Sequence, residues 1–471
     1  MSWKDYFLIL QPELSLALII VIILLVKVGV TEMKRDSFLT LINLLLVLNF
    51  IGGLFIQTDG NLFHEMYHSN ALTRLEKSIL NGGVLLISWQ SYSWLKLHRH
   101  TEEFYILLLA SLMGMDFMIS SNNLLQFYLG LELSTIPLAA LCNFDLLRKK
   151  SSEAAMKLIL NSAFSSGLLL MGISFVYGAT GSLDFPVIAS KLVSSGLVIF
   201  AFLLIISGFG FKVSAVPFHL WTADVYQGSP VPVTSFLSVI SKGSLFFVFT
   251  ATLYAAFRPL QLEGYRTICI LAVLTMVIGN LFAIRQTNIK RLLAFSSIAQ
   301  SGFILVGMSA QSSVGTASVV YFILVYLFSN LGAFGVVSVI STYTGKENIS
   351  DYGGLYKSNP FLAWVMAISL FSLAGVPPTA GFFGKFFLLL AGASKANYGL
   401  IVIAALNMVV SLYYYLVVVK TMFLPAEGDP GEKIPVSMLS RVALVICVAG
   451  ILLTGIMGGV YDYINSVCAN F

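Results

Sequence analysis

Charged residues are scarce in this sequence, and their scarcity excludes a soluble domain. Of 471 residues, 10% are charged and 58% are hydrophobic, whereas soluble domains carry about 25% charged residues. The apolar runs reach about 20 residues, the length of a membrane-spanning helix and about twice that of a barrel strand. We therefore predict an all-α integral membrane protein that lies in the lipid bilayer.

Motifs for cofactors, metals and nucleic acid are also missing. The four cysteines are far apart and form no CxxC pair, so no iron–sulfur cluster is expected. The chain shows no GxGxxG after a strand, no Walker motif, no Ser-His-Asp spacing and no HxxH. The net charge of +5 is scattered between apolar runs. We expect no cofactor bound by this chain, no metal and no nucleic-acid partner.

Hydropathy predicts fourteen membrane spans when the chain is scanned with a window of about 19 residues. They lie near 11–30, 38–57, 78–95, 103–120, 123–142, 153–177, 197–227, 230–256, 267–284, 292–308, 317–342, 360–394, 398–422 and 440–462. Spans 7 and 12 are too long for one crossing of about 20 residues. Both contain prolines, in KVSAVPFHLW and AGVPPTAGFFGKF, and both are predicted to be broken helices.

The two broken spans indicate an internal repeat. They lie five spans apart, so the corresponding helices run in opposite directions, as in an inverted repeat. Spans 4–8 (103–256) form the first predicted five-helix repeat, and spans 9–13 (267–422) form the second. Spans 1–3 (1–102) and span 14 (440–471) are additions. In such folds the broken helices line the ion path.

The distribution of basic residues predicts the orientation of the chain. Sixteen of them, including Lys290, fall on one side, and seven, including Lys77, fall on the other. The richer side is expected to be cytoplasmic. An even number of spans then places both termini on the outer, periplasmic side of a bacterial inner membrane. The other four of the 27 basic residues lie inside spans, namely Lys157, Lys212, Lys242 and Lys385.

Four charged residues are predicted deep in the membrane. At about 1.5 Å per residue, Glu132, Lys212 and Lys242 lie roughly 14, 22 and 18 Å into spans 5, 7 and 8, and Lys385 lies roughly 14 Å from the outer end of span 12. Each costs about 2.5–3.5 kcal/mol on insertion scales. A proton path is the favoured interpretation, because burial favours neutral lysine and a nearby carboxylate favours charged lysine. A structural Glu132–Lys212 ion pair is the alternative.

Other polar residues in the spans are candidates for proton uptake or relay. Glu153 and Lys157 form an i,i+4 pair at the start of span 6, where an interfacial ion pair and proton uptake are both open. His219 follows a proline in span 7, where a packing role and a relay between the lysines are equally open. Asp224, near the cytoplasmic end of span 7, is expected to be solvated. Asp116 in span 4 receives no role.

These residues stand in stretches that resemble the antiporter-like membrane subunits of respiratory complex I, NADH:quinone oxidoreductase. The stretches are FYLGLELSTIPLAAL, GFGFKVSAVPFHLWTADVYQGSPVPVTSFLS, TNIKRLLAFSSIAQSGFILVG and SLAGVPPTAGFFGKF. The resemblance covers nearly the whole chain and implies fourteen helices with two inverted repeats. It also implies a proton relay formed by Glu132, Lys212, Lys242 and Lys385. Asp116 departs from the apolar residue that the family leads us to expect.

The resemblance implies proton pumping coupled to electron transfer from NADH to quinone. NADH, FMN, iron–sulfur clusters and quinone would be bound by other subunits of the complex. The expected partners are those membrane and peripheral subunits, including neighbouring antiporter-like subunits. Three other functions remain open, namely the large subunit of a multisubunit sodium/proton antiporter, a subunit of a membrane-bound hydrogenase-type complex, and a scaffold that moves no protons.

Overall fold

The computed structural model describes residues 3–29, 33–55, 58–424 and 433–469, and nearly all of them are helical. The helices are α1 Trp3–Ile9, α2 Gln11–Gly29, α3 Arg35–Phe55, α4 Ala71–Gln90, α5 Tyr92–Leu97, α6 Thr101–Ile119, α7 Leu124–Cys142, α8 Lys149–Thr180, α9 Phe185–Lys191, α10 Gly196–Lys212, α11 Leu220–Gly228, α12 Val231–Ser235, α13 Lys242–Ala255, α14 Gln261–Ala283, α15 Ile289–Met308, α16 Ser313–Thr344, α17 Leu355–Ser358, α18 Pro360–Ala374, α19 Ala380–Ala393, α20 Tyr398–Phe423, α21 Met438–Ile456 and α22 Gly459–Cys468. A π-helical turn, Phe236–Ser241, joins α12 to α13, and 3-10 turns occupy Arg258–Leu260 and Ile349–Tyr352. Strands β1 Gly60–Leu62 and β2 Tyr67–Ser69 form an antiparallel hairpin.

Ten helical segments among the described residues are long and apolar enough to cross a membrane. They comprise α2, α3, α7, α8, α12 with α13, α14 with its 3-10 turn, α15, α16, α20 and α21. Helices α10, α18 and α19 are apolar but shorter, and α4 and α6 occupy the predicted spans 3 and 4. The predicted all-α membrane fold is confirmed, while the count of fourteen spans stays a prediction.

Both predicted helix breaks are present. Span 7 consists of α10 and α11 with residues 213–219 between them, and span 12 consists of α18 and α19 with residues 375–379 between them. Gly375 ends α18 with a φ of 87°, a left-handed conformation that glycine adopts without a steric penalty. The breaks place backbone polar groups inside the bundle.

The unwound backbone of the first break is hydrogen bonded by its surroundings. The indole Nε1 of Trp221 donates to the carbonyl oxygen of Phe211 at 3.1 Å, across the gap. The backbone N–H of Val216 donates to Thr275 Oγ1 on α14 at 3.0 Å. Irregular backbone is tolerated at membrane depth when protein groups satisfy it, and these contacts meet that condition.

Matching caps and turns support the predicted repeat. Asn123 caps α7 and forms an isolated bridge with Asp184 after α8, while Asn288 caps α15 and forms an isolated bridge with Asn348 after α16. Helices α8 and α16 are both 32 residues long, and each ends at a left-handed glycine. Helices α6–α8 therefore correspond to α14–α16. The boundaries of the repeats stay predictions.

Helices α15 and α16 form the centre of the bundle. All residues of α15 except Arg291 are buried, and most of α16 is buried as well. Helices α2 and α20, in contrast, bury a minority of their residues. A helix that is enclosed on all sides can carry polar side chains away from lipid, and this places the site described below.

The starts of α4 and α15 differ from the sequence prediction. Helix α4 begins at Ala71, after the cap Asn70, and α15 begins after the cap Asn288. Lys77 and Lys290, which the sequence analysis placed outside the spans, therefore lie in helices, with exposed fractions of 3% and 0%. The sequence analysis did not predict that these two side chains are buried. An asparagine ahead of an apolar run is an N-cap signal that a hydropathy window does not use.

Close contact between helix backbones depends on glycine at equivalent places in the two repeats. A Cβ added to Gly114 on α6 would lie 2.5 Å from the backbone nitrogen of Ser134 on α7. A Cβ added to Gly279 on α14 would lie 2.7 Å from the backbone nitrogen of Ala299 on α15. Helices in lipid associate largely through such close packing.

We expect Gly114→Ala to lower the free energy of unfolding of the detergent-solubilised protein by about 1–3 kcal/mol, because the added methyl group must displace backbone atoms. Gly167→Ala is the matched control, since Gly167 lies in α8 and has no atom within 4 Å of its added Cβ. A thermal unfolding assay on both variants measures the difference. Equal stability of the two variants would contradict the packing described here.

Candidate functional site

Lys212 is the last residue of α10 and lies inside the bundle. Its side chain is 8% exposed, and its Nζ donates to Thr135 Oγ1 at 3.0 Å and to Ser162 Oγ at 3.1 Å. The C-terminal end of a helix carries a partial negative charge that stabilises a cation. The break after Lys212 therefore places the ammonium group where two hydroxyls and a helix end can stabilise it.

Glu132 and Lys212 are separate in this structure. The Glu132 carboxylate accepts a hydrogen bond from Ser166 Oγ at 2.5 Å, and no ion pair within 4.0 Å joins it to Lys212 in the described chain. Thr135 follows Glu132 by three residues on α7, and Ser162 precedes Ser166 by four residues on α8. Lys212 is therefore bound about one helical turn from Glu132, a rise of about 5.4 Å.

Lys242 begins α13 directly after the π-helical turn. It is 3% exposed, its Nζ donates to Ser297 Oγ at 2.7 Å, and Nζ lies 5.6 Å from the ring centroid of Tyr226. Lys242 also lines a small cavity with Gln300 and Tyr326. Single π-helical turns inside α-helices are frequent at functional sites, and the sequence analysis predicted a regular span here.

Lys385 is bound by the break of span 12. The residue is fully buried, and its Nζ donates to the carbonyl oxygens of Leu373 at 2.8 Å and Ala374 at 3.1 Å. These carbonyls belong to the last turn of α18, where they have no partner within the helix. Nζ also lies 4.7 Å from the ring centroid of Phe303. The broken helix thus supplies the groups that bind this cation.

Helix α15 binds Lys242 directly, and it reaches the surroundings of Lys212 and Lys385 through backbone carbonyls. Ser301 Oγ donates to the carbonyl oxygen of Val213, the residue after Lys212, at 3.0 Å. Ser297 accepts from Lys242. Gln300 Nε2 donates at 2.8 Å to the Leu373 carbonyl, which also accepts from Lys385. We call the set formed by Lys212, Lys242, Lys385, Ser297, Gln300 and Ser301 the lysine row.

The sequence analysis predicted the lysines of this row but missed its polar residues on α15. The run FSSIAQS in span 10 was the available signal, because three serines and a glutamine interrupt an apolar helix. Ser297 lies nine residues after the cap Asn288, as Glu132 lies nine residues after the cap Asn123. Ser297 therefore occupies the position in the second repeat that Glu132 occupies in the first.

The predicted Glu153–Lys157 pair is part of a larger ion network. Lys157 Nζ lies 2.6 Å from Glu153 Oε1 and 2.6 Å from Asp224 Oδ2. Asp224 Oδ1 accepts from Arg291 Nη1 at 2.7 Å. The sequence analysis expected Asp224 to be solvated, but each of its carboxylate oxygens binds a cation. The side chains of all four residues remain partly exposed, so molecules outside the bundle can reach this network.

His219 takes part in no hydrogen bond with the lysines. It stands at the start of α11 and is 7% exposed. Its Nδ1 is buried without a hydrogen-bond partner among the described residues. The imidazole is therefore not held by its Nδ1, and its place in a relay remains a prediction.

The described residues contain no group of three or more His, Cys, Asp or Glu side chains that could hold a metal ion. The four cysteines are free thiols, and Cys269 is the one that is not fully buried. The polar groups that come together here are instead ammonium, carboxylate, hydroxyl and carbonyl groups. Ammonium, carboxylate and hydroxyl groups can bind and transfer protons, and the carbonyls accept hydrogen bonds.

Comparison with known proteins identifies the family of this sequence. Residues 121–411 match the family described as NADH:quinone oxidoreductase/Mrp antiporter, TM. NADH-quinone oxidoreductase subunit N of Azobacteroides pseudotrichonymphae is 44% identical over 468 residues, which cover 98% of each chain. A chain of respiratory complex I from Thermus thermophilus with bound aureothin is 29% identical, with a TM-score of 0.80 over 95% of this chain and 97% of that one. A chain of the Mrp complex from Dietzia sp. has a TM-score of 0.86 at 18% identity, covering 99% and 97%.

We expect Lys242→Met to leave the thermal stability of the purified protein equal or higher, because Nζ of Lys242 binds a hydroxyl and no carboxylate lies within 4.0 Å of it. Lys77→Met is the matched control, since Lys77 is equally buried but lies 2.5 Å from Glu13 Oε1. It should lose about 3–5 kcal/mol because an unpaired carboxylate remains. A similar loss of stability in both variants would show that Lys242 stabilises the fold.

Proposed function

The chain belongs to the NADH:quinone oxidoreductase/Mrp antiporter membrane family, and we propose that it moves protons along the lysine row. It is a proton-pumping membrane subunit of an NADH-quinone oxidoreductase, the enzyme for which its nearly full-length relative is named. The observation that supports the row as the path is the linkage of three buried lysines through one enclosed helix. Buried ionisable residues in membrane proteins typically mark such paths.

We propose that the proton travels from the cytoplasm to Lys242, then to Lys385 and the outside. Uptake takes place near the connection of α11 and α12 or at the network of Glu153, Lys157 and Asp224, and His219 serves as a relay. Gln300 and the Leu373 carbonyl lie between Lys242 and Lys385. A carbonyl or an amide cannot release a proton readily, so the proposed transfer needs water along this stretch. The small cavity lined by Lys242 and Gln300 offers a place for it beside Lys242, although Lys385 does not line that cavity.

The separation of Glu132 and Lys212 supports a switch. When Lys212 leaves Thr135 and Ser162 and pairs with Glu132, the carboxylate stabilises the ammonium group. When the pair separates, the charge that Lys212 presents to Lys242 changes, and Lys242 takes up or releases its proton. A movement of one turn along α7 and α8 is sufficient for the pairing.

The remaining parts of the enzyme are assigned to other subunits. Electron transfer from NADH to quinone, with FMN, iron–sulfur clusters and the quinone itself, takes place outside this chain and reaches it by coupling. The partners are other membrane and peripheral subunits of the complex, among them neighbouring antiporter-like subunits. We place both termini on the periplasmic side of a bacterial inner membrane, as the distribution of basic residues predicts.

A sodium/proton antiporter is the second candidate, and the fold shared with the Mrp complex is the observation that favours it. At 18% identity, this likeness shows a shared fold and does not by itself show a shared activity. Vesicles containing the assembled complex distinguish the two functions. Proton movement that requires sodium would favour the antiporter, whereas proton movement driven by NADH without sodium supports the proposal.

We expect Lys212→Ala to abolish most proton pumping and the coupled NADH oxidation, because the switch loses its cation, while the complex still assembles. Lys191→Ala is the control, since Lys191 is exposed at the end of α9. Quenching of a pH-sensitive dye in inverted vesicles measures pumping. Normal pumping in Lys212→Ala would reject the assignment, and intact pumping after loss of both Lys242 and Lys385 would make the row a scaffold.

Replacement of Glu132 by Gln should slow pumping less severely than loss of Lys212, because an amide still accepts the hydrogen bond of Ser166 but carries no charge. Glu65→Gln, in the exposed turn of the hairpin, controls for the general effect of removing a carboxylate. The same dye assay compares the initial rates. If Glu132→Gln pumps at the control rate, Glu132 is a structural residue and the switch is wrong.

A further inference from the structure

A second group of buried charges lies away from the lysine row, at the end of the bundle that carries the β-hairpin. Glu13 of α2, Tyr67 of β2, Lys77 of α4 and Asp116 of α6 form this hairpin cluster, and each is at most 3% exposed. Lys77 Nζ donates to Glu13 Oε1 at 2.5 Å and to Tyr67 Oη at 3.0 Å. The hydroxyl of Tyr67 donates to Glu13 at 2.9 Å.

Asp116 is the unsatisfied member of the cluster. Both of its carboxyl oxygens are buried without a hydrogen-bond partner in the described part of the chain. It lies within electrostatic range of Lys77 and Glu13, but Lys77 is already paired with Glu13. The amide of Asn81 is close as well and donates to the Lys77 carbonyl at 2.9 Å. One cation thus faces two carboxyl groups.

Nearby charges do not compensate Asp116. Arg74 is paired with Asp59 at the surface, and Glu76 lines a separate pocket with His68 and Thr73. An ionised carboxylate that is buried without a partner is strongly disfavoured, and such a group becomes neutral by holding a proton. With a proton on Asp116, the hairpin cluster has no net charge.

A pocket at the hairpin end reaches Lys77 of the cluster but not Asp116, which is fully buried. This surface pocket is lined by Lys77 together with Gln11, Ser69 and Asn81. On the side of α4 that meets α13, Leu80 lies beside Gly243, the residue after Lys242; a Cβ added to Gly243 would lie 3.6 Å from the Leu80 side chain.

We propose that the hairpin cluster is a second proton-binding site, in which Asp116 holds a proton. When that proton leaves for water, the Asp116 O–H bond breaks and a carboxylate remains. Lys77 and Glu13 keep their charges, so the carboxylate that forms is stabilised by Lys77 alone until a proton from water restores the acid. The lysine row takes no part in this exchange.

Infrared spectroscopy of the assembled complex in membranes tests the site through the C=O stretching band of a protonated carboxyl group. Asp116→Asn should remove one such band. Asp145→Asn should remove none, because Asp145 is paired with His98 and Arg148. A spectrum unchanged in Asp116→Asn would overturn the proposal.

Glu13→Gln provides a sharper variant, because it leaves Asp116 in place. With Glu13 uncharged, Lys77 is available to Asp116, which should then ionise, and the band should disappear although the aspartate remains. A band lost in Glu13→Gln but kept in Asp116→Asn would place the proton on Glu13 and overturn the assignment to Asp116. Pumping at the wild-type rate in Asp116→Asn supports the separation from the lysine row, and its loss would overturn that separation.

Discussion

The need to stabilise ammonium groups in a hydrocarbon environment governs this structure. Lys212, Lys242 and Lys385 are bound by hydroxyl and carbonyl dipoles, and no carboxylate lies within 4.0 Å of them in the described chain. Dipoles stabilise the charge without fixing it, since neutral lysine can use the same hydroxyls as donors or acceptors. The helix breaks follow from this need, because an intact helix leaves no carbonyl free for Lys385.

The enclosed helix α15 contacts all three lysine sites. Its serines and its glutamine face both broken helices, so α15 contacts the end of α10, the start of α13 and the end of α18. The repeat explains why this helix is suitable. Ser297 stands where the first repeat has Glu132, so that the second repeat offers Lys242 a neutral hydroxyl at the place where Lys212 has a carboxylate within one helical turn.

The sequence predicts the fold and the lysines well because a charge inside a long apolar run is conspicuous. It predicts the helix breaks because prolines lie in runs too long for one crossing. It does not reveal Lys77 and Lys290 as buried residues, since their hydropathy window includes the loop before each helix. The sequence analysis missed Ser297 and Gln300 for another reason, since neutral polar residues barely change the hydropathy of α15. Contacts between distant helices, such as Glu13 with Lys77, have no local signal at all.

The hydroxyls around Lys212 have a consequence for the proposed switch. Thr135 with Ser162, and Glu132 with Ser166, form two stations of similar hydrogen-bonding capacity on the same pair of helices. The difference in free energy between a lysine at one station and at the other then depends mainly on the charge of Glu132. Under the proposed switch, the lysine would respond to the local electric potential, and a neighbouring charge would set its position without any movement of the helices.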